Sequence, residues 1–445
     1  MESVAVEKKD NVLKTSVRLP FSKSISNRLL IIEALCEKKF PLKNISTADD
    51  TILLQRLLSS SERILDAQNA GTCFRFLTAY LAQKNGEWIL TGSERMKQRP
   101  IGELVNALRK LGAEIKYMEK ENFPPLLIHG KKLKGGEIKI DASQSSQFVS
   151  ALLLIAPYVE GGISLNIEGE ISSGSYIDMT LKLMENFGIK ILRRENNIKI
   201  VQQEFIPKEY FVEPDWSSAA FWYAMAAMSE DVEIFLEGLS AQSIQGDSII
   251  SELMKNFGVE TRFANGGAVI TKKGNSIPEK FSFNFSQHPD LAPAFFVLCS
   301  ALGVDAKISG IRNLSIKESN RTEALKTELE KCEEKILKVS SDEYSVRPHP
   351  LIPSPASSVP LKGGTPSPKE KGSGIFSFGE GEHSRKFKTE VLQFETYNDH
   401  RLAMAFAMLA IPLGKVEIKN PAVVSKSYPE FWNDLRSAGF AVKFS

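Results

Sequence analysis

"LVNALRKLGAEIKY", residues 104–117, carries apolar residues at helical spacing as far as Leu111, then a glycine, then alternating apolar and polar positions. This is the pattern of a helix stopped by a glycine and followed by a half-buried strand. It returns in LKLMENFGIKILR (181–193), IISELMKNFGVETRF (249–263) and FWNDLRSAGFAVKF (431–444). Gly112, Gly188 and Gly258 are 76 and 70 residues apart, whereas Gly439 follows after a further 181. A fifth copy, ALKTELEKCEEKILKV (324–339), divides that long gap, with Glu333 in the glycine position. A sixth, lacking the glycine, falls near ILLQRLLSSSERILDA (52–67). The period exceeds that of the usual stacked repeats, so two compact domains of mixed α/β type, with three units each, are expected.

The fifth interval remains about 30 residues too long for this period. Its excess coincides with residues 347–388, RPHPLIPSPASSVPLKGGTPSPKEKGSGIFSFGEGEHSRKFK. That Pro-, Gly-, Ser- and Lys-rich composition cannot build a packed core and reads as a disordered surface insertion. Its GGTPSPKEKGSG lacks the strand and the GK[ST] ending of a phosphate loop and reads as linker.

The 445 residues include 42% hydrophobic and 25% charged ones, enough for a sizeable core. With 56 basic and 54 acidic residues the net charge is only +2, so there is no global field for nucleic acid or a membrane surface. Any anion specificity must be local. Cys36, Cys73, Cys299 and Cys332 are widely scattered without a CxxC, which suits buried thiols in a reducing compartment rather than a zinc ribbon or disulfide framework. MESVAVEKKDN has no apolar signal core and no run of about 18 apolar residues occurs, so a soluble, cytoplasmic protein is expected.

Six polar clusters each stand directly before an apolar helix-like run: SKSISNR (22–28), NAGTCFR (69–75), SQSSQ (143–147), DWSS (215–218), KESNR (317–321) and TYNDHR (396–401). Ser, Asn and Asp cap helices without any ligand, so each cluster alone has a purely structural explanation. The cations are different. Lys23, Arg28, Arg75, Lys317, Arg321 and Arg401 sit where a helix dipole opposes positive charge, and a bound anion would account for them.

With LPFSKSISNR, NAGTCFR, RMKQRPIGEL, SSQF, SYIDMTL, HPDLAPAF, IKESNR, TYNDHR and SKSYPEF in this order, the chain resembles the 5-enolpyruvylshikimate-3-phosphate synthase (3-phosphoshikimate 1-carboxyvinyltransferase) family along nearly its whole length. The resemblance implies the two-domain enolpyruvyl transferase fold, each domain built from three βαβαββ units, with the active site in the interdomain cleft. It implies domains of residues 21–212 and of 1–20 with 213–445. The implied reaction transfers the enolpyruvyl group of phosphoenolpyruvate to the 5-hydroxyl of shikimate 3-phosphate and releases phosphate. No metal or organic cofactor is implied, and the only partners are the two small-molecule substrates, with a monomer as the family's usual state.

By motif position, the resemblance gives shikimate 3-phosphate to Lys23, Ser24, Arg28, Ser145, Ser146, Gln147, Ser173, Tyr176, Asp290, Asn313 and Lys317. Phosphoenolpyruvate falls to Lys23, Asn69, Gly71, Arg99, Gln147, Arg321, Arg401 and Lys426. Asp290, Glu318 and Lys23 match the acid–base positions: Asp290 for the hydroxyl, Glu318 for the methylene carbon, and Lys23 for the departing phosphate. His400 and Asp399 are read as helix-start residues.

Phe21 stands where this family usually has glycine and Phe76 where proline is common, so both are expected to disturb neighbouring helix starts. Glyphosate, the family's inhibitor at the phosphoenolpyruvate site, is an implied ligand, with Cys73, Phe74 and Phe76 bearing on its potency. The related UDP-N-acetylglucosamine enolpyruvyl transferases usually carry a cysteine before the RP dipeptide, whereas GSERMKQRP has none and places Glu94 there. A non-catalytic anion-binding protein is the remaining alternative, against which all the charged positions are retained.

Overall fold

The computed structural model describes residues 2–274, 276–332, 335–347 and 391–445. Glu333 and, apart from Arg347, the insertion expected at 347–388 lie outside the described residues.

The described strands form six sheets, five of them four-stranded and built alike. In one, Ile64–Asp66 runs parallel to Gly86–Thr91, which pairs antiparallel with Leu126–Gly130, and that strand pairs antiparallel with Glu114–Tyr117. The same order joins Lys134–Asp141, Glu160–Glu168, Asn197–Ile200 and Ile191–Arg194. It recurs for Val12–Val17, Asp231–Glu237, Gly267–Lys272 and Val259–Ala264, and for Lys280–Asn284, Asp305–Ser309, Glu343–Arg347 and Lys335–Lys338. In the fifth sheet, of Leu392–Phe394, Lys415–Lys419, Ser3–Glu7 and Ala441–Phe444, the N-terminal strand occupies the hairpin position. The sixth is reduced to the parallel pair Leu42–Lys43 and Tyr210–Phe211.

In the five four-stranded sheets each parallel step requires a crossover, and a helix supplies it: Gly71–Gln83, Ser146–Ile155, Trp216–Met228, Ala292–Leu302 and His400–Ala407. All thirteen residues of Trp216–Met228 are buried, as expected of a helix apolar on every side. After the second helix of four units comes the glycine read from sequence: Gly112, Gly188, Gly258 and Gly439 all have φ between 73° and 93°. A side chain with a Cβ is strained there, which explains why glycine recurs. The 246–257 copy is not one α-helix but Ile250–Leu253 flanked by 3₁₀ turns. Near 52–67, Asp49–Ser59 is helical, but the strand after it, Ile64–Asp66, opens the next sheet instead of closing its own.

The buried apolar residues fall into two clusters, one spanning Ile25 to Val212 and the other joining Val4–Leu19 to Trp216–Val442. The chain passes between them twice, side by side: Ser22 N–H donates to Glu213 O at 2.9 Å and Asp215 N–H to Pro20 O at 2.8 Å. Phe21 bridges to Pro214 in this crossing, and the helix Lys23–Leu35 still starts with its Ser22 cap. Cys73, Cys299 and Cys332 are buried and Cys36 is half-buried. No described helix is long and apolar enough to cross a membrane.

Candidate active site

Five of the six polar clusters converge on a cleft of about 840 Å³ between the two cores. The first turns of the helices beginning at Lys23, Gly71, Ser146, Arg321 and His400 all contribute to its lining. All but the helix at Gly71, which follows Ala70, have a side-chain cap: Ser145 Oγ accepts from Gln147 N–H at 3.3 Å and Asp399 from Arg401 N–H at 3.0 Å. Converging helix N-termini direct N–H groups and partial positive charge into the cleft. DWSS is the exception. Asp215 accepts from the Ser218 amide and hydroxyl, and the Ser217 hydroxyl donates to Asp247, so that cluster has the structural role that capping alone requires.

Lys23, Arg28, Arg75, Arg99, Lys317, Arg321 and Arg401 face three carboxylates, Asp50, Asp290 and Glu318, across this lining. Arg321 is the hub of the acidic side: its Nε lies 2.7 Å from Asp399, Nη1 3.0 Å from Asp290 and Nη2 2.7 Å from Glu318. Asp290 also meets Arg401 Nη2 at 3.1 Å and Lys317 Nζ at 4.0 Å, and accepts the Tyr176 hydroxyl at 2.7 Å across the cleft. Burial works to raise its pKa, but Arg401, Lys317 and Arg321 outweigh that and hold the carboxyl far below the usual range. Glu318 is likewise held well below it, burial being overcome by Arg321 and Arg99.

Lys23 Nζ donates to Asp50 at 3.0 Å and to Lys426 O at 3.2 Å; burial opposes its charge, but Asp50 and Glu318 raise its pKa overall. Burial lowers that of Lys317 despite Asp290.

Arg28, Arg75 and Arg99 differ from Arg321 in having no carboxylate within ion-pair distance among the described residues. Arg28 donates instead to Thr180 Oγ1, Ser24 O, Ser150 Oγ and Tyr176 O, and burial lowers its pKa to about 10. Phe76, expected to disturb this region, lies with its ring 5.5 Å from the Arg28 guanidinium. Arg75 donates to Gly71 O at 3.0 Å, and burial with the neighbouring Arg99 charge lowers its pKa well below normal. Arg75 and Arg99 close over Gly71 so tightly that a Cβ there would lie 2.6 Å from an Nη of each. Glycine is therefore needed for space.

Of the positions expected from sequence, Lys23, Ser24, Arg28, Gly71, Arg99, Ser145, Ser146, Gln147, Ser173, Tyr176, Asp290, Asn313, Lys317, Glu318, Arg321 and Arg401 all line the cleft. Asn69 and Lys426 stand behind it: Asn69 O accepts from Arg99 at 3.5 Å, and Lys426 Nζ donates to Asn398 O at 2.9 Å. Arg75, read from sequence as a helix-start cation, lines the cleft too, and the structure adds Asp50, Thr72, Gln144, Ile316 and His400. Thr72 Oγ1 accepts the Gln147 amide at 3.0 Å, orienting that side chain. His400 is buried with neither ring nitrogen hydrogen-bonded, and burial with the Lys23 and Arg401 charges lowers its pKa well below normal. Among the described residues no three His, Cys, Asp or Glu side chains are grouped to hold a metal ion.

The family model described as EPSP synthase (3-phosphoshikimate 1-carboxyvinyltransferase) matches residues 51–354 and 371–435. The chain belongs to the EPSP synthase family. A 3-phosphoshikimate 1-carboxyvinyltransferase of Bacteroides fragilis (strain YCH46) is 41% identical over 432 residues, covering 97% of both chains. One from Vibrio campbellii is 33% identical over 466 residues, covering 98% of this chain and 99% of the relative. An EPSP synthase structure from Acinetobacter baumannii superposes with a TM-score of 0.72 over 100% of both chains at 22% identity, which bears on the fold. The six-sheet, two-domain architecture is thus the EPSP synthase fold.

Proposed function

We propose that the cleft holds shikimate 3-phosphate and phosphoenolpyruvate side by side and joins them by carboxyvinyl transfer, the reaction of the family. The carrying observation is the charge imbalance: seven cations against three carboxylates, with the Arg28, Arg75 and Arg99 guanidinia paired to none. Two multiply charged anions would supply the missing partners, and a cleft of low dielectric strengthens each contact. The named relatives favour shikimate 3-phosphate over a nucleotide sugar as acceptor.

Arg28, with Lys23, Ser24, Ser145, Ser146, Ser173, Tyr176, Gln147, Asn313 and Lys317, is assigned to shikimate 3-phosphate. Lys23, Arg99, Arg321, Arg401, Gly71 and Gln147, with Asn69 and Lys426 behind them, are assigned to phosphoenolpyruvate. Arginine forks suit a carboxylate and a phosphate held together.

In the reaction the 5-hydroxyl oxygen attacks C2 of phosphoenolpyruvate while C3 gains a proton, giving a tetrahedral intermediate. Loss of a C3 proton and of phosphate restores the double bond. Asp290 is assigned the hydroxyl proton, Glu318 the C3 proton in both directions, and Lys23 the charge of the departing phosphate. A carboxylate held this acidic is a weak base. Anions beside Arg321, Arg401 and Arg99 neutralise the charges that depress Asp290 and Glu318, so binding raises both pKa values toward a working range. Charge pairing on binding thereby switches on the acid–base groups.

The chain is taken as two domains, 21–212 and 1–20 with 213–445, acting as a cytoplasmic monomer. Turnover in deuterated water tests the mechanism. The product should carry deuterium on its vinyl carbon, and Glu318→Gln should abolish both exchange and turnover; exchange at the wild-type rate in that variant would remove Glu318 from the step.

A further inference from the structure

Arg95 lies in the short helix Glu94–Lys97, whose start is capped by Ser93 Oγ accepting from Met96 N–H at 3.3 Å. Met96 is 1% exposed and belongs to the first core, so the helix is anchored there. The Arg95 side chain leaves that core. Its Nη2 donates to Lys317 O at 3.0 Å and to Ser315 O at 3.3 Å, at the end of the 3₁₀ turn Arg312–Ile316, which Leu314 anchors in the other core. Among the described backbone hydrogen bonds, no N–H donates to either carbonyl. Arg95 therefore supplies the fixed donor that this stretch of irregular backbone otherwise lacks.

Arg95 does not line the cleft, but what it holds does: Ile316, Lys317 and Glu318 follow directly, with Lys317 Nζ 4.0 Å from Asp290 and Glu318 2.7 Å from Arg321. One turn further on, Arg99 N–H donates to Met96 O at 2.9 Å, so the same short helix also sets a cation over Gly71. We propose that Arg95 is a positioning residue for the transfer reaction: bridging the two cores, it fixes the 315–318 backbone and thereby the placement of Lys317 and Glu318 relative to the substrate held by Arg99. This rests on the functional reading above. Because Arg95 reaches the cleft only by holding the Ser315 and Lys317 carbonyls, its loss acts through the placement of Lys317 and Glu318: the chemical step suffers first, KM for shikimate 3-phosphate can rise through Lys317, and a misplacement of about 1 Å can cost about a hundredfold in rate.

The test compares wild type, Arg95→Met and Arg95→Lys for kcat, KM of each substrate, thermal unfolding and amide exchange of residues 315–320. Arg95→Met should lower kcat at least about tenfold, keep KM for phosphoenolpyruvate within about twofold and speed exchange at 315–320. Arg95→Lys, which restores a charged donor of shorter reach, should fall between the two. A raised KM for phosphoenolpyruvate with unchanged kcat would make Arg95 a substrate cation and overturn the proposal. A lowered unfolding temperature with unchanged kcat and KM would also overturn it. Should Arg95→Met not fold, Arg95→Lys decides alone: reduced kcat with retained KM for phosphoenolpyruvate supports the proposal, and unchanged kcat refutes it. Inactive wild-type protein would instead sink the functional reading.

Discussion

Replacing Gly71 by alanine isolates the tightest packing in the site. The added Cβ would lie 2.6 Å from Arg75 Nη1, 2.6 Å from Arg99 Nη1 and 2.7 Å from Arg99 Nη2, against an ordinary contact of at least 3.4 Å. Both guanidinia must therefore retreat by about 0.8 Å, and both are ends of flexible side chains that can do so without unfolding anything. Alanine is also the better helix former by up to about 1 kcal/mol, so stability should change little. What is lost is one well-placed charged hydrogen bond to the substrate, worth about 1.5–3 kcal/mol, or about ten- to a hundredfold in affinity. Initial-rate kinetics should show that rise in KM for phosphoenolpyruvate, with KM for shikimate 3-phosphate within about twofold. In an Arg99→Ala background, Gly71→Ala should cost distinctly less, because two of the three close contacts are gone. Unchanged KM for phosphoenolpyruvate, or an equal rise for both substrates, would refute the reasoning.

Asp290→Asn should retain substrate binding, measured by equilibrium dialysis, while turnover falls at least about a hundredfold, as expected on losing a general base; near-normal turnover would reassign the hydroxyl proton. Asp247 is buried beside Ser217 and near Asp290, and burial first, then the Asp290 charge, pushes its pKa up to about 7. Between about pH 4 and pH 7 the folded chain thus keeps a proton that the unfolded chain has lost, so this group lowers stability as pH rises through that window, by up to about 4 kcal/mol. Asp247→Asn should remove that loss, and urea unfolding should show the variant's advantage growing from pH 4 to pH 7; a constant difference would contradict it. Arg28→Lys leaves at least one of four acceptors without its donor, which should lower stability by about 1–3 kcal/mol and raise KM for shikimate 3-phosphate at least about tenfold.

The helix–glycine–strand units were legible because glycine at positive φ leaves a mark that periodicity alone can find, as at Gly112 and Gly439. The strand pairing of the copy that lacks the glycine was not. The helix Asp49–Ser59 carries a good apolar pattern, but nothing local says that the strand after it pairs in a different sheet. Pairing of Ser3–Glu7 with Lys415–Lys419 likewise has no local signal; the family resemblance implied only that residues 1–20 belong with 213–445.

In the site, the helix-start cations located the cleft, but their side-chain directions were hidden. Arg75 was visible in NAGTCFR, yet only the structure shows it turned back over Gly71 beside Arg99. His400 looked like a helix-start residue and also faces the cleft, while Lys426 turns its ammonium to Asn398 and offers Lys23 its carbonyl. Asp50 lacked any flag because its partner, Lys23, is on another helix.

The most direct test is phosphate release from phosphoenolpyruvate, followed in parallel with shikimate 3-phosphate and with UDP-N-acetylglucosamine as acceptor. The account predicts release with shikimate 3-phosphate alone. Release only with the nucleotide sugar, or none with either from folded protein, would contradict it.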